Sequence, residues 1–440
     1  MGKYTRRHFI RTTGAAALGI AHCSQPGFGA GKGASPSDTI SVGLIGCRNM
    51  GYWLLHHALN QPNVACGGLC DVDQNVLEGR AKDIEKQTGN APKLYNDYRK
   101  LLEDKDLDAV LIGTPDHWHC LQAVHALQAG KHVYVEKPLA RTIGEAELIT
   151  KAAQKYGQVV QVGQHQRSGE HWQKVVQMIG SGHLGKIRTV RVWANFDYGQ
   201  GPEKRPDEPV PQGVDYDMWL GPAPEHPFNP NRFHGVWRFF WDYGGGLITD
   251  WGAHLLDIPL WAMNIDGWPL SVSSVGGIFS GRNRAIDMAD TQAVTYQFND
   301  FNMIWEHNGG IERGPYERNY GIAFVGNKGT LVVNREGWQV IPEWDDDKPV
   351  IEEVPFQKPG QAGHEVHIAN FLAAIREGAE LHCPVEAGNL AAFYGHIGNI
   401  AHRTGDRLQW DKNRQLINRA KYDHLIMPEY REPWGLPKEL

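Results

Sequence analysis

Thr39-Ile40-Ser41-Val42-Gly43-Leu44-Ile45-Gly46-Cys47-Arg48-Asn49-Met50-Gly51 carries a short β-branched run straight into a turn bounded by glycines. The run reads as a buried strand, and Tyr52 to Asn60 behind it reads as a helix. Strand, glycine turn and helix in this order are the setting that a dinucleotide-binding turn requires. Gly46 permits the tight turn and Gly51 lets the helix pack close to the strand. Free N–H groups at the helix start, where Asn49 and Met50 stand, then face a pyrophosphate. Arg48 occupies the place of the fingerprint's second glycine; its Cβ crowds the phosphates, while its guanidinium offers to pair with one.

The next strand, Val64 to Leu69, leads to Asp71, 20 residues after Gly51. An acid there accepts hydrogen bonds from a ribose diol and repels a 2′-phosphate, which favours NAD over NADP. Asp73 is a weaker candidate for that role. Alternation continues with a helix over 75–88, a strand from Asp108 to Thr114, a helix from His119 to Ala129 and a strand from Lys131 to Val135. A helix over Ile143 to Tyr156 and a strand over Val159 to Gly163 complete the pattern. Strands and helices in turn imply an α/β, Rossmann-type, doubly wound parallel sheet covered on both faces. Ligands of such sheets lie beyond the strand C-termini. Those ends carry Thr114-Pro115-Asp116-His117-Trp118-His119 and Glu136-Lys137-Pro138, so Thr114, Pro115, His119, Glu136 and Lys137 become candidate cofactor contacts, joined by His165 from the sixth strand end. His117 and His119 stand two residues apart without a clear third ligand, so no metal site is expected.

Beyond Gln166-Arg167 the pattern changes. A strand over 187–196 precedes a Pro/Gly-rich stretch, 199–235, that is too long for an ordinary connection and reads as a lid or edge. Strand-like runs at 271–280, 291–299, 302–307, 320–326 and 329–334 imply a C-terminal α+β domain with a large, mostly antiparallel sheet open on one face. Helices over 364–377 and 385–403 complete it. The densest chemical signal is a helix read from Leu247, on which Asp250, His254 and Asp257 fall at i, i+4 and i+7 and share a face. Leu247, Trp251, Leu255 and Ile258 form a separate apolar face.

The glycine turn, Thr-Pro-x-x-x-His, Glu-Lys-Pro and Asp-x-x-x-His in this order resemble the Gfo/Idh/MocA oxidoreductase family, over essentially all of the chain after residue 38. The resemblance implies that Lys137, Asp250 and His254 are catalytic around a sugar and the nicotinamide, and that the Lys137–Pro138 bond is cis. It implies that the open sheet face joins subunits into a dimer or tetramer. Glycosidases of the same fold replace the acid at position 250, so Asp250 favours the redox branch. Trp219-Leu220-Gly221-Pro222 and Asn231-Arg232-Phe233-His234 resemble an exported subgroup of that family. Arg167, Arg232, His234 and Asp257 are candidate substrate contacts, and Arg238 is a further one. The function expected is NAD-dependent transfer of a hydride from a secondary hydroxyl of a sugar, glycoside or polyol. A redox-neutral, NAD-retaining glycosidase or lyase is the alternative, and a non-catalytic sugar-binding module is a third.

Residues 1–38 read as a signal and linker, 39–162 as the dinucleotide-binding domain and 163–440 as the substrate and oligomerisation domain with a tail. Thr5-Arg6-Arg7-His8-Phe9-Ile10 before the weakly apolar run Gly14 to Ala21 resembles a twin-arginine export signal, which places the protein in the periplasm. That run is too short to span a bilayer, and His22 before Cys23 disfavours lipid anchoring. The first 38 residues hold five basic residues and one acid, so the remainder carries 39 basic against 49 acidic side chains, a net charge of −10. Such a body, without basic runs, argues against nucleic acid or an anionic membrane as partner. Cys66 and Cys70 lie about 13 Å apart along one strand, too far to bridge, and no CxxC pair occurs. Fifteen Trp, fifteen Tyr and 21 His are high counts, which core filling or stacking on sugar rings would each explain.

Overall fold

The computed structural model describes residues 39–436, so the export motif and Cys23 lie outside the described residues. Short apolar runs form six strands: β1 (Ile40–Ile45), β2 (Val64–Cys70), β3 (Lys93–Tyr95), β4 (Ala109–Ile112), β5 (His132–Val135) and β6 (Val160–Val162). They are all parallel, in the order β3-β2-β1-β4-β5-β6. The connections are α1 (Asn49–Leu59), α2 (Gln74–Thr88), α3 (Tyr98–Leu102), α4 (Asp116–Gln128) and α5 (Ile143–Tyr156). Neither β3 nor α3 was expected from the sequence, because a three-residue strand with two exposed residues carries no apolar run. Strand side chains alternate between two apolar layers. Val42, Leu44, Leu111 and Tyr134 pack with Leu54, Leu55 and Ala58 of α1. Val110, Ile112, Val133 and Val135 pack with α4 and α5.

After α6 (Glu170–Gly180) the second sheet begins with β7 (Ile187–Phe196). Beyond it lie α7 (Tyr216–Leu220) and three short helical segments, α8 (Leu247–Asp250), α9 (Gly252–Leu255) and α10 (Asp257–Ala262). The sequence reading of one unbroken helix from Leu247 is corrected here: the path stays right-handed at Trp251 and Leu256, but the segments are separate. Strands β8 (Ser271–Gly277), β9 (Thr291–Gln297), β10 (Asn302–Gly309), β11 (Tyr320–Gly326), β12 (Gly329–Asn334) and β13 (Gly337–Pro342) follow. A small hairpin of β14 (Trp344–Asp345) and β15 (Lys348–Pro349) precedes β16 (Val354–Gln357), and β17 (Leu408–Gln409) comes last. Nine strands pair in the order β16-β13-β12-β11-β7-β10-β9-β8-β17. Only β7 and β10 run parallel; the other neighbours are antiparallel.

One face of this sheet buries Val190, Val192, Trp305, Phe324 and Val333 against Leu247, Leu255 and Ile258. The opposite face leaves Val275 exposed. Trp172, Trp193 and Trp305 are fully buried, so many of the abundant aromatics fill cores rather than a binding surface. Helices α11 (Gly363–Glu377) and α12 (Val385–Thr404) tie the halves together. Ile368, Phe371 and Leu372 of α11 share the apolar layer of Leu44 and Leu54, although they lie more than 300 residues away in sequence. Among the described residues, no helix is long and apolar enough to cross a membrane.

The long stretch after β7 returns to the first sheet. Gly213 accepts from the Gln74 amide at 2.8 Å, and the Asp215 amide donates to Val72 at 2.8 Å. Tyr216, Trp219, Phe228, Phe233, Trp237 and Tyr243 give this strap its own apolar core. The tail secures it, with Arg431 bonded to Gly221 and Asp217.

Candidate active site

The glycine turn is built by contacts that only hydrogen at Cα permits. Gly46 has φ +87° and lies against Gly113, where an added Cβ would meet backbone atoms at 2.9 Å. A Cβ on Gly51 would sit 2.0 Å from the Gly46 carbonyl oxygen. This interlock draws α1 against the strand ends and opens its N-terminus toward a cleft of about 1120 Å³. No side chain caps that N-terminus, so its first N–H groups remain available. Gly46, Arg48, Asn49, Met50, Asp71, Thr114, Pro115, Glu136 and Lys137 all line the cleft. Free helix N–H groups beside the Arg48 cation form a donor set suited to a pyrophosphate.

Asp71 holds the far wall. Its Oδ2 accepts from the Cys47 amide at 2.7 Å and its Oδ1 from the Asp73 amide at 3.0 Å. Each carboxylate oxygen has a second lone pair for a ribose hydroxyl. Burial raises the Asp71 pKa against these amides and the nearby Arg48 charge. Across the cleft stand strap residues Met218, Trp219, His234, Gly235, Trp237 and Arg238. His234, expected at the sugar, lines the cleft and meets Asp73 at 2.8 Å. Arg232 lies off the cleft, its guanidinium over the Phe240 ring.

His119 is also placed differently from the sequence reading. Its ring lies between two backbone carbonyls, Nδ1 2.8 Å from that of Pro138 and Nε2 3.0 Å from that of Thr114; as a neutral imidazole it donates to one of them, and it does not reach the cleft. It fastens one strand-end loop to the other. Burial lowers its pKa to about 4. His117 likewise gives Nε2 to the Trp219 carbonyl, at 3.0 Å.

At the other end of the cleft Lys137 lies two residues beyond β5, and its peptide bond to Pro138 is cis. Lys137 Nζ meets Asp250 Oδ1 at 2.6 Å, and Arg238 Nε approaches the same oxygen at 3.3 Å. Burial raises the Asp250 pKa, but the two cations outweigh it and hold the carboxyl well below its ordinary range. Glu136, beneath them, is pushed up to about 7 by burial, with Lys137 opposing. Burial also raises Asp116, at the start of α4, well above the ordinary carboxylate range, with Arg238 opposing.

One turn beyond Asp250, His254 is buried and its Nδ1 has no partner. Burial, then the charges of Lys137 and Arg335, keep this ring neutral. His165 lies 5.1 Å from it, centroid to centroid, and stacks on His364 at 3.3 Å. His165 thus belongs to a histidine cluster around His254 and does not itself line the cleft. Arg167 and Asp257, expected at the substrate, satisfy each other instead: two bonds of 2.8 and 2.7 Å join them in the core.

Sequence reasoning missed Arg335, His364 and Gln166. Arg335 sits in the two-residue turn between β12 and β13, a place that ordinarily reads as solvent. Only the pairing of the sheets brings it to the helix that bears His254.

Residues 40–164 match the family model described as an oxidoreductase family NAD-binding Rossmann fold, and residues 169–436 match the corresponding C-terminal alpha/beta domain. A glycosyl hydrolase family 109 protein of Shewanella pealeana is 30% identical over 203 residues, covering 42% of this chain and 44% of the relative. The match therefore spans under half the length of that relative. Among solved structures, levoglucosan dehydrogenase in complex with NADH and levoglucosan has a TM-score of 0.64 at 19% identity, covering 84% of this chain and 99% of the other. The WlbA dehydrogenase of Bordetella pertussis, in complex with NADH and UDP-GlcNAcA, has a TM-score of 0.62 at 20% identity, covering 85% and 99%. At these identities the likeness establishes the fold.

Proposed function

Because the chain belongs to the Gfo/Idh/MocA oxidoreductase family, we propose that it oxidises a secondary hydroxyl of a sugar, glycoside or polyol with NAD. The observation that carries this reading is the Lys137–Asp250 pair, at 2.6 Å, beside the cleft, with the neutral imidazole of His254 one helical turn away. NAD, when bound, supplies the acceptor for the substrate's hydride. His254, a neutral imidazole whose Nδ1 is sealed from solvent, takes the hydroxyl proton on Nε2. Lys137, fixed by Asp250, donates a hydrogen bond to the same oxygen and stabilises its developing negative charge. Asp250 is itself positioned by Arg238, so the lysine head keeps one orientation. Gly46, Asp71 and the free N–H groups of α1 would hold the dinucleotide.

Purified protein should carry or bind NAD, and a panel of sugars should generate NADH absorbance at 340 nm. Lys137→Ala and His254→Ala should retain NAD binding yet lose turnover; full oxidation by either variant would refute the assignment. The likeness to a glycosyl hydrolase family 109 protein supports a second reading, in which oxidation is transient and the glycosidic bond is cleaved without net redox change. Release of aglycone without accumulating NADH distinguishes it. We also propose export through the Arg6-Arg7 motif and assembly of subunits through the exposed sheet face. Fractionation of an Arg6→Lys, Arg7→Lys variant and light scattering test these two points.

A further inference from the structure

The cations around the candidate substrate position are not equally answered. Lys137 and Arg238 share Asp250. Glu136 lies under Lys137, and Arg238 is the leading charged neighbour of Asp116. Arg335 differs, since it makes no ion pair among the described residues. Its Nε donates to Gln166 Oε1 at 2.9 Å, and Gln166 in turn donates to the His254 carbonyl at 3.1 Å. Its guanidinium lies over the Trp251 indole, 4.7 Å from the ring centroid. The fork is therefore oriented by the element that carries Asp250 and His254. Both terminal nitrogens make no hydrogen bond among the described residues and are not sealed from solvent. Burial works against the cation, with Tyr320 and then Asp250 opposing. The neighbouring imidazoles of His254 and His364 feel the positive field and add no negative charge.

A half-buried guanidinium, pre-oriented and without a counter-ion, is a recognition element for a planar oxyanion. We propose that Arg335 selects an acidic sugar, a hexuronic acid or glycosiduronate, by pairing with its carboxylate while a ring hydroxyl lies at Lys137 and His254. This rests on the oxidoreductase reading of the same site. Of Lys137, Arg238 and Arg335, only Arg335 makes no ion pair among the described residues, which matches a monoanion, whereas a phosphate dianion would call on Lys137 and Arg238, which Asp250 already holds. The flat fork favours a carboxylate over a tetrahedral sulfate ester.

The test uses matched methyl glycosides, each as the neutral sugar, the uronide and the 6-sulfate, in gluco and galacto series. Binding to the full-length, NAD-loaded protein is measured by calorimetry at low salt and pH 7, with NADH formation followed on the same panel. One uronide should bind about ten- to hundredfold more tightly than its neutral partner, with the advantage shrinking as salt rises. Arg335→Met, which keeps the chain over Trp251, should erase the preference and leave neutral binding within about twofold, whereas Arg335→Lys should keep part of it. Unchanged thermal unfolding would show that both variants are folded; if Arg335→Met unfolds, Gln166→Ala, which frees the fork, should reduce the preference. Equal binding of uronide and neutral sugar, a preference that survives Arg335→Met, or tighter binding of the sulfate overturns the proposal. NADH formed from a neutral sugar alone also overturns it and leaves the oxidoreductase reading standing. Failure of every sugar to bind or reduce NAD would defeat both.

Discussion

Replacing Asp257 by Asn separates a structural from a substrate role for the acid that shares its helical stretch with Asp250 and His254. The Asp257 side chain is 1% exposed and that of Arg167 10%, with the two joined at 2.7 Å. Arg167 also lies 5.2 Å from the Trp261 ring centroid. Asn keeps the volume but leaves a buried guanidinium without its counter-charge, which costs about 3–5 kcal/mol. With an unfolding entropy of about 2.1 cal/mol/K per residue over roughly 400 residues, or about 0.8 kcal/mol/K, that loss lowers Tm by about 4–6 °C. Calorimetry should record this fall while KM for the sugar changes less than about threefold. The double variant Arg167→Met, Asp257→Leu should recover much of the lost stability, because a buried pair exchanged for apolar groups is often neutral. A Tm within 1 °C of wild type together with a tenfold rise in KM would refute the reasoning and return Asp257 to the substrate.

Gly51→Ala should abolish measurable NAD binding by fluorescence titration, since its methyl group would fall 2.0 Å from the Gly46 carbonyl oxygen; near-normal affinity would contradict the turn geometry. Asp250→Asn removes the charge that holds Lys137 and Arg238 together, and kcat should fall by about 100-fold or more with NAD affinity little changed. Acid should destabilise the protein in a defined window. Burial depresses His119, His307, His364 and His396 to about 4 and His117 and His367 to about 3, whereas the unfolded chain titrates near about 6.5. Their contribution is complete above about pH 6.5 and declines as pH falls toward about 4, because only the unfolded state takes up the protons. A Tm unchanged between pH 7 and 4.5 would contradict this.

Local signals in the chain were enough for five of the six strands of the first sheet. The strand runs ending at Ile45, Ile112 and Val135 are short, apolar and bounded by turn residues, and each is buried on both faces. That pattern, with Gly46 and Gly51 at the first turn, marks both the sheet type and the end of it where a ligand lies. The spacing of Asp250, His254 and Asp257 identified a chemically active stretch, but spacing carries no information about what each side chain meets. Three acids and bases in one helical register went to three different neighbours: Lys137, a histidine cluster and a buried arginine.

By itself, then, the sequence determined the alternation of elements, the dinucleotide turn and the lysine and imidazole that the proposed reaction needs, because these depend on residues near one another in the chain. Tertiary structure alone decided that His234 faces Asp73, that His119 fastens two backbone loops, that α11 completes the first domain's core and that Arg335 reaches the site from a hairpin turn. Each of those outcomes joins residues from 19 to more than 300 positions apart. The pairing of whole layers, driven by burial of their apolar faces, brings such groups together, and no local pattern records it.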